Sequence, residues 1–401
     1  MRKRTSERKT ACAAAASRLG LAAAVFALAI VASSALTAQE AAECAVTVQP
    51  GESIQEAIDA AAAGDVICIA AGTYQEVLVI THEITVRGTG ETPADVEIKG
   101  TSRTEPGITI TNPEGSEEPF SVTFENITLS NRYPAKFHGI EVLGTAGIIL
   151  TNAQVIGSMR YGLILRDSST AKITSSTISD SKNGLLIEDA AEASFAGCSV
   201  VKSEVLVKGS AYVQIADSDF SATSVDVYAG AGISAIESTL DRGTHRVSGT
   251  ADYTDCSFQY GGGNSVNCNA SARLTMTGCN VSHNGRGHDY GSGVRLEGNS
   301  QAVIDSCVFA DNAGTPVWLM ENATLHITDC SILRNDGLGI AGFLEECGDI
   351  VVPGGVSDDL FVGSAFGGRI SGSGNTIPGP DEEDGNTLGD VCPDSFRSVK
   401  D

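Results

Sequence analysis

The chain has 401 residues, of which 45 are glycine and 5% are aromatic, and its formal net charge at pH 7 is −24. So acidic a chain repels nucleic acid and anionic membranes, so neither is expected as a partner. The same charge disfavours polyuronate substrates unless cations intervene. Its composition suits a soluble, exported protein with little helix.

The first 38 residues predict an export signal. Basic residues precede an apolar, alanine-rich stretch from Leu19 to about Ala38, which ends in small residues. We expect cleavage and a secreted, periplasmic or cell-surface location. The stretch is long enough to cross a bilayer, so an uncleaved signal is the one route to a membrane.

A short helix is predicted next. Ser53 followed by Glu56 starts a capping box, and Gly64 is expected to end the helix. One face of this helix is apolar, which predicts that it covers the N-terminal end of a core formed by the rest of the chain. The residues of that face are Ile54, Ala57, Ile58 and Ala61.

A pattern of apolar, any, any, small, any, apolar then recurs ten times, at intervals of 18 to 28 residues. Short alternating runs separated by Gly, Asn, Ser and Asp indicate several strands per repeat, which predicts an all-β solenoid with parallel strands. Ten coils rising about 4.8 Å each span roughly 45 Å. We expect the solenoid to cover residues 44–376. The central residue of each repeat, small except for the first, is Ile127, Ala153, Ser176, Cys198, Ser218, Ser238, Cys256, Cys279, Cys307 and Cys330.

The coils beginning at Gly139, Gly184 and Gly293, together with the N-terminal run Val48–Ile58, resemble the pectate-lyase-like superfamily. The resemblance extends to bacterial secreted proteins with periplasmic copper-accessory-type repeats. It implies a right-handed parallel β-helix. It leaves function open, because that superfamily contains lyases, hydrolases, epimerases and proteins of no known activity.

The eleven cysteines fall into groups. Cys12 lies in the signal. We expect Cys44 to bond Cys68, which locks the N-terminal end, and Cys347 to bond Cys392 at the other end. The cysteines of the repeated position should stay thiols, because stacked side chains point the same way, and Cys268 should also be buried and free. No metal site is predicted, since the chain has no Cys-x-x-Cys and its histidines are scattered.

Residues 377–401 form an acidic tail that follows a Gly- and Pro-rich stretch. No cofactor is expected. The acidic run Asp381–Asp384 offers calcium as the alternative, but its spacing lacks the Asp-x-Asp-x-Asp-Gly frame of known calcium loops. We expect a monomer.

Two insertions, at 131–138 and 283–290, follow the same corner of their coils. Seven coils separate them, or roughly 34 Å, so they cannot form one site. Beside the second insertion, Asn267, Arg295 and Trp318 occupy matching outward positions in successive coils. An aromatic ring next to amide and guanidinium groups is typical of a sugar-binding surface. The alternative is that Trp318 covers an apolar patch and Arg295 stacks on it.

Further polar groups are expected around this surface. The insertion would wall it with His288, Asp289 and Tyr290, and adjacent coils would add Tyr260, Asp311, Asn312, Arg334 and Asp336. We predict a binder of polysaccharide whose ligand-binding residues are Asn267, Tyr290, Arg295, Asp311, Trp318 and Arg334.

Catalysis is the second hypothesis. Asp289 as base, His288 as acid and Arg295 as charge stabiliser could serve a polysaccharide lyase, hydrolase or epimerase. The motifs of the superfamily's polygalacturonases and pectate lyases are absent, and only Gly287–Asp289 matches part of the Asp-Pro-His-Asp motif of mannuronan epimerases. A purely structural surface protein is the third hypothesis.

Overall fold

The computed structural model describes residues 43–131, 138–158, 160–181, 183–285, 293–336, 340–341, 369–373 and 375. The predicted signal, the tail and the bond between Cys347 and Cys392 lie outside these residues. All the described strands belong to one compact unit that begins at Cys44.

The described strands form three parallel sheets that run the length of a solenoid. Sheet 1 contains β1 (Val46–Val48), β2 (Val66–Ile69), β5 (Ile84–Gly88), β8 (Ser121–Glu125), β11 (Gly147–Thr151), β14 (Thr170–Thr174), β17 (Glu192–Ala196), β20 (Tyr212–Ala216), β22 (Gly232–Ile236), β24 (Thr250–Thr254), β27 (Arg273–Thr277), β30 (Gln301–Asp305), β33 (Thr324–Thr328) and β36 (Arg369–Ser373).

Sheet 2 is formed by two blocks of strands joined through single bridges at Asp219 and Thr239. Its strands are β3 (Gly72–Gln75), β6 (Val96–Lys99), β9 (Thr128–Ser130), β12 (Gln154–Ile156), β15 (Thr177–Ser179), β18 (Ser199–Val201), β25 (Ser257–Gln259), β28 (Asn280–Ser282), β31 (Val308–Ala310) and β34 (Ser331–Leu333).

Sheet 3 carries the candidate site on its outer face. Its strands are β4 (Leu78–Ile80), β7 (Ile108–Ile110), β10 (Ile140–Val142), β13 (Leu163–Leu165), β16 (Leu185–Ile187), β19 (Glu204–Val207), β21 (Ser224–Val227), β23 (His245–Val247), β26 (Val266–Cys268), β29 (Val294–Leu296), β32 (Val317–Leu319) and β35 (Ile340–Ala341).

Each coil visits sheets 1, 2 and 3 in turn, and about twelve turns stack to form the predicted right-handed parallel β-helix. The sequence pattern showed ten of these turns. The additional early turns, built around β2 to β7, lack the repeated frame because the connection from sheet 1 to sheet 2 is longer there, as at 89–95 between β5 and β6.

The ten repeated positions lie in one inward column, as predicted, and none is more than 6% exposed. Small size is not the only property that suits a side chain to this column. The backbone N–H of Ala153 donates to Ser176 Oγ (3.0 Å), and that of Cys279 donates to Cys307 Sγ (3.3 Å). Ser and Cys therefore supply an acceptor to a buried N–H of the preceding coil, which alanine does not.

A second inward column stands at the corner between sheets 2 and 3, where Asn284, Asn312 and Asn335 are at most 1% exposed. Asn312 Oδ1 accepts from the backbone and side-chain nitrogens of Asn284 (3.0 and 3.1 Å), and Asn312 Nδ2 donates to Val281 O and Asn335 Oδ1 (3.0 and 2.8 Å). The expectation that Asn312 adds to the outer surface is wrong, because its amide fills these interior bonds.

The predicted capping helix is α1 (Ile54–Ala60), and Ile54 and Ile58 are buried in the core cluster. Ser53 Oγ accepts from the Glu56 N–H (3.2 Å). Glu76 accepts from Ile54 N (2.9 Å) as well, which satisfies another amide of the first turn. The helix ends before Gly64, the predicted stop, since Ala61 already has an extended backbone. A 3-10 turn spans Pro93–Asp95.

The cysteines of the described residues behave as expected. Cys44 and Cys68 form a disulfide that joins the chain just before β1 to β2. Cys268 and the five column cysteines are free and buried.

His245 is fully buried on the inner side of sheet 3, packed edge-on against Tyr253 and Phe258. Its Nδ1 lies 3.0 Å from the Tyr253 hydroxyl. Desolvation lowers the pKa of His245 to about 3, so the folded chain holds this ring neutral.

Replacing Asn312 with Ala should lower the free energy of unfolding by about 3 kcal/mol, because buried amide and carbonyl groups lose their partners. Urea denaturation followed by circular dichroism measures the change. The exposed Asn299→Ala serves as control and should alter stability by less than about 0.5 kcal/mol. A similar small effect at Asn312 would contradict the structural role of the column.

His245 should make the fold acid-sensitive. Between pH 6.5 and about 3 the unfolded chain binds a proton at this ring that the folded chain does not, so stability falls as pH falls through that window. Between pH 7 and 5 the loss should be about 2 kcal/mol. His245→Phe should remove that part of the slope in urea titrations at each pH; an unchanged slope would contradict a neutral buried ring.

Peptide mapping of the non-reduced protein should find Cys44 linked to Cys68, and it tests whether Cys347 is linked to Cys392. Alkylation should reach the column cysteines only after unfolding, because their thiols are buried. A bridge between two column cysteines would contradict the shared direction of their side chains.

Candidate functional site

One outward row runs along the middle of sheet 3. The strand register places one residue per coil in it, each a direct Cα partner of the next. From β10 to β32 the row reads Glu141, Ile164, Leu186, Leu206, Asp226, Arg246, Asn267, Arg295 and Trp318.

The row changes chemistry between Leu206 and Asp226. Ile164, Leu186 and Leu206 are between 0 and 7% exposed and form a small apolar cluster with Tyr161, separate from the main core. From Asp226 to Trp318 every member is polar or aromatic, and Ala341 of β35 follows Trp318. We call the five residues from Asp226 to Trp318 the polar row.

Side chains of the polar row are held by neighbours. Arg246 Nη1 donates to Asp226 Oδ1 (3.0 Å), and the Arg246 side chain remains 54% exposed. Asn267 Oδ1 accepts from Asn264 Nδ2 (2.9 Å). Arg295 pairs with Glu297 and also contacts the sulfur of Met320 (3.3 Å). Trp318 is partly exposed, while Val317 and Leu319 on either side are buried.

Two polar side-chain atoms beside Asn267 are buried without a hydrogen-bond partner within the described part of the chain. They are Asn264 Oδ1 and Arg295 Nε. Polar groups out of contact with water usually have a partner, so such atoms mark a place where water or a ligand completes the bonding. Asn264 and Arg295 both flank Asn267, by the bond given above and by strand pairing.

A second outward row lies at the corner between sheets 2 and 3, where the backbone is left-handed. It contains Arg242, Tyr260, His283, Asp311 and Arg334, with φ between 50° and 58°. The Tyr260 and His283 rings are 5.2 Å apart, and the Arg242 guanidinium lies 6.0 Å from the Tyr260 ring centroid.

Asp311 and Arg334 pair with each other in this corner row. Arg334 Nε and Nη2 donate to the two carboxylate oxygens of Asp311 (2.8 and 2.9 Å). The Arg334 hydrogen bond lowers the pKa of Asp311, so this carboxyl stays ionised and does not act as a general acid near neutral pH.

The structure therefore brings Asn267, Arg295 and Trp318 together on adjacent strands and places Asp311 and Arg334 at the corner. His288, Asp289 and Tyr290 lie outside the described residues.

Sequence reasoning missed Asp226 and Arg246. The signal was present, because both sit between two apolar or buried neighbours in strands of the same register.

Among the described residues no group of three or more His, Cys, Asp or Glu side chains is arranged to hold a metal ion. Within the same residues no helix has the length and apolar character needed to cross a membrane.

Comparison with known families identifies the class of protein that this fold defines. The family model described as "Right handed beta helix region" matches residues 84–220, 138–287 and 203–378. The chain belongs to this family. No curated protein matches its sequence.

Solved structures with a similar fold include the A-module of mannuronan C-5 epimerase AlgE4 from Azotobacter vinelandii, which is 15% identical with a TM-score of 0.47 over 87% of this chain and 95% of that one. The family 28 exopolygalacturonase of Yersinia enterocolitica is 10% identical, with a TM-score of 0.48 over 84% of this chain and 80% of that one. These likenesses concern the fold alone.

Proposed function

We propose that the protein binds an extracellular or cell-surface polysaccharide along the polar row without turning it over. The observation that carries the proposal is the switch of the outward row from aliphatic residues to a polar set that ends in the chain's single tryptophan.

The chemistry of the polar row suits sugars. An indole ring packs against the C–H face of a pyranose. The amide of Asn267 and the guanidinium groups of Arg246 and Arg295 offer directional hydrogen bonds to hydroxyl groups. The unpartnered Nε of Arg295 and Oδ1 of Asn264 supply one donor and one acceptor, whose hydrogen-bonding capacity is still unfilled.

The carboxylates beside the polar row support binding rather than hydrolysis. Asp226 pairs with Arg246, Glu297 with Arg295 and Asp311 with Arg334. Hydrolysis of a glycosidic bond requires two carboxyl groups that face it, one of them protonated. The Arg334 hydrogen bond lowers the pKa of Asp311, which opposes the acid role for this carboxyl.

An exported location agrees with the disulfide between Cys44 and Cys68, since such bonds persist in oxidising compartments. The predicted signal in residues 1–38 leads to the same proposal. A polysaccharide outside the cytoplasm would then be accessible to the polar row.

A glycan array probed with the protein lacking residues 1–38 tests the proposal. Trp318→Ala should reduce retention on any glycan hit at least tenfold, about 1.4 kcal/mol, because the stacking surface is lost. Trp318→Tyr should retain part of the affinity. The matched control is Tyr212→Ala on the outer face of sheet 1, which should bind like the unchanged protein.

Equal retention by Trp318→Ala and the unchanged protein would contradict a site on the polar row. Products from each bound glycan should also be analysed. New reducing ends, unsaturated sugars or epimerised residues would show turnover and favour the catalytic hypothesis over simple binding.

A further inference from the structure

We infer, on the basis of the proposed function, that the ligand is an uncharged, extended glycan that lies along the solenoid axis with one sugar unit per coil. The inference comes from the spacing, the extent and the charge of the polar row.

The spacing of the polar row is set by strand pairing. Each of its five members is the direct Cα partner of the next, so successive groups stand about 4.8 Å apart along the axis. An extended chain of pyranose units linked through opposite ring positions advances by a slightly longer step per unit. Over five units the accumulated mismatch stays below half a unit, so each sugar still lies against its own coil.

The extent of the polar row limits the number of sugars. It begins directly after Leu206, which is 7% exposed and belongs to the apolar cluster. It reaches Trp318 four coils beyond Asp226, which gives a length of about 19 Å. The polar row therefore offers five positions along the axis.

The charges of the polar row disfavour a strongly anionic ligand. Its two arginines are matched by Asp226 and Glu297, so no excess of positive charge is available to a polyanion. The chain as a whole carries a formal charge of −24. A polyuronate approaching this surface meets net repulsion, whereas a neutral glycan does not.

Isothermal titration with neutral β-1,4-linked gluco- and manno-oligosaccharides of two to eight units tests the inference. Affinity should rise roughly threefold with each unit up to five and then level off. Oligogalacturonates of equal length should bind more weakly, and added salt should narrow that difference by screening the repulsion.

Two variants test the position of the sugars. Asp226→Ala combined with Arg246→Ala should move the plateau from five units to three and leave the binding of trisaccharides unchanged. Arg273→Ala, on the outer face of sheet 1, is the matched control and should leave the plateau at five.

The outcomes separate this inference from the proposed function. Binding of neither series at any length, together with an empty glycan array, would overturn the proposed function. Binding that does not depend on length, that keeps its plateau in the double variant, or that favours oligogalacturonates at low salt would overturn the inference and leave glycan binding intact.

Discussion

Parallel pairing of strands in register between successive coils is the constraint on which the rest of the molecule depends. Equivalent positions of successive coils lie above one another at a fixed rise. A residue type that suits one position therefore recurs as a stack of similar side chains. The inward column that contains Cys279 and Cys307, the buried column of Asn312 and the outward polar row all arise in this way. A functional surface here is a row of residues, each from a different coil.

The two corners that flank sheet 2 let coil length vary without disturbing these rows. Each turns through a residue of positive φ, such as Asp255 or His283, followed by an inward side chain that accepts a hydrogen bond from the preceding coil. Side-chain acceptors thus replace the regular ladder where the backbone turns. Both long insertions in the sequence begin just after the corner between sheets 2 and 3. The coils on either side still pair in register, which keeps Asn267, Arg295 and Trp318 adjacent.

The interior of the solenoid could be predicted because its inward positions recur along the sequence as small or apolar residues. The inward column followed from that pattern, the start of α1 from its capping residues, and the disulfide of Cys44 from the expected pairing of the first two strands. Hydrogen bonding between coils could not be seen in one sequence. An asparagine looks alike whether it faces water or bonds within the core, so Asn312 was misplaced. Pairing of Asp311 with Arg334 depends on a contact 23 residues away, and Arg246 was missed because its coil carries no insertion.

A solenoid makes contacts only between neighbouring coils, and its order can be lost progressively from an end. The Cys44–Cys68 bond ties the first two strands of sheet 1 covalently, so fraying is opposed at that end. The polar row lies in the later coils. A polymer bound along it would connect coils that do not contact each other, and would oppose the stepwise unfolding of the solenoid. Binding of the polymer should then increase resistance to proteolysis or to mechanical stretching.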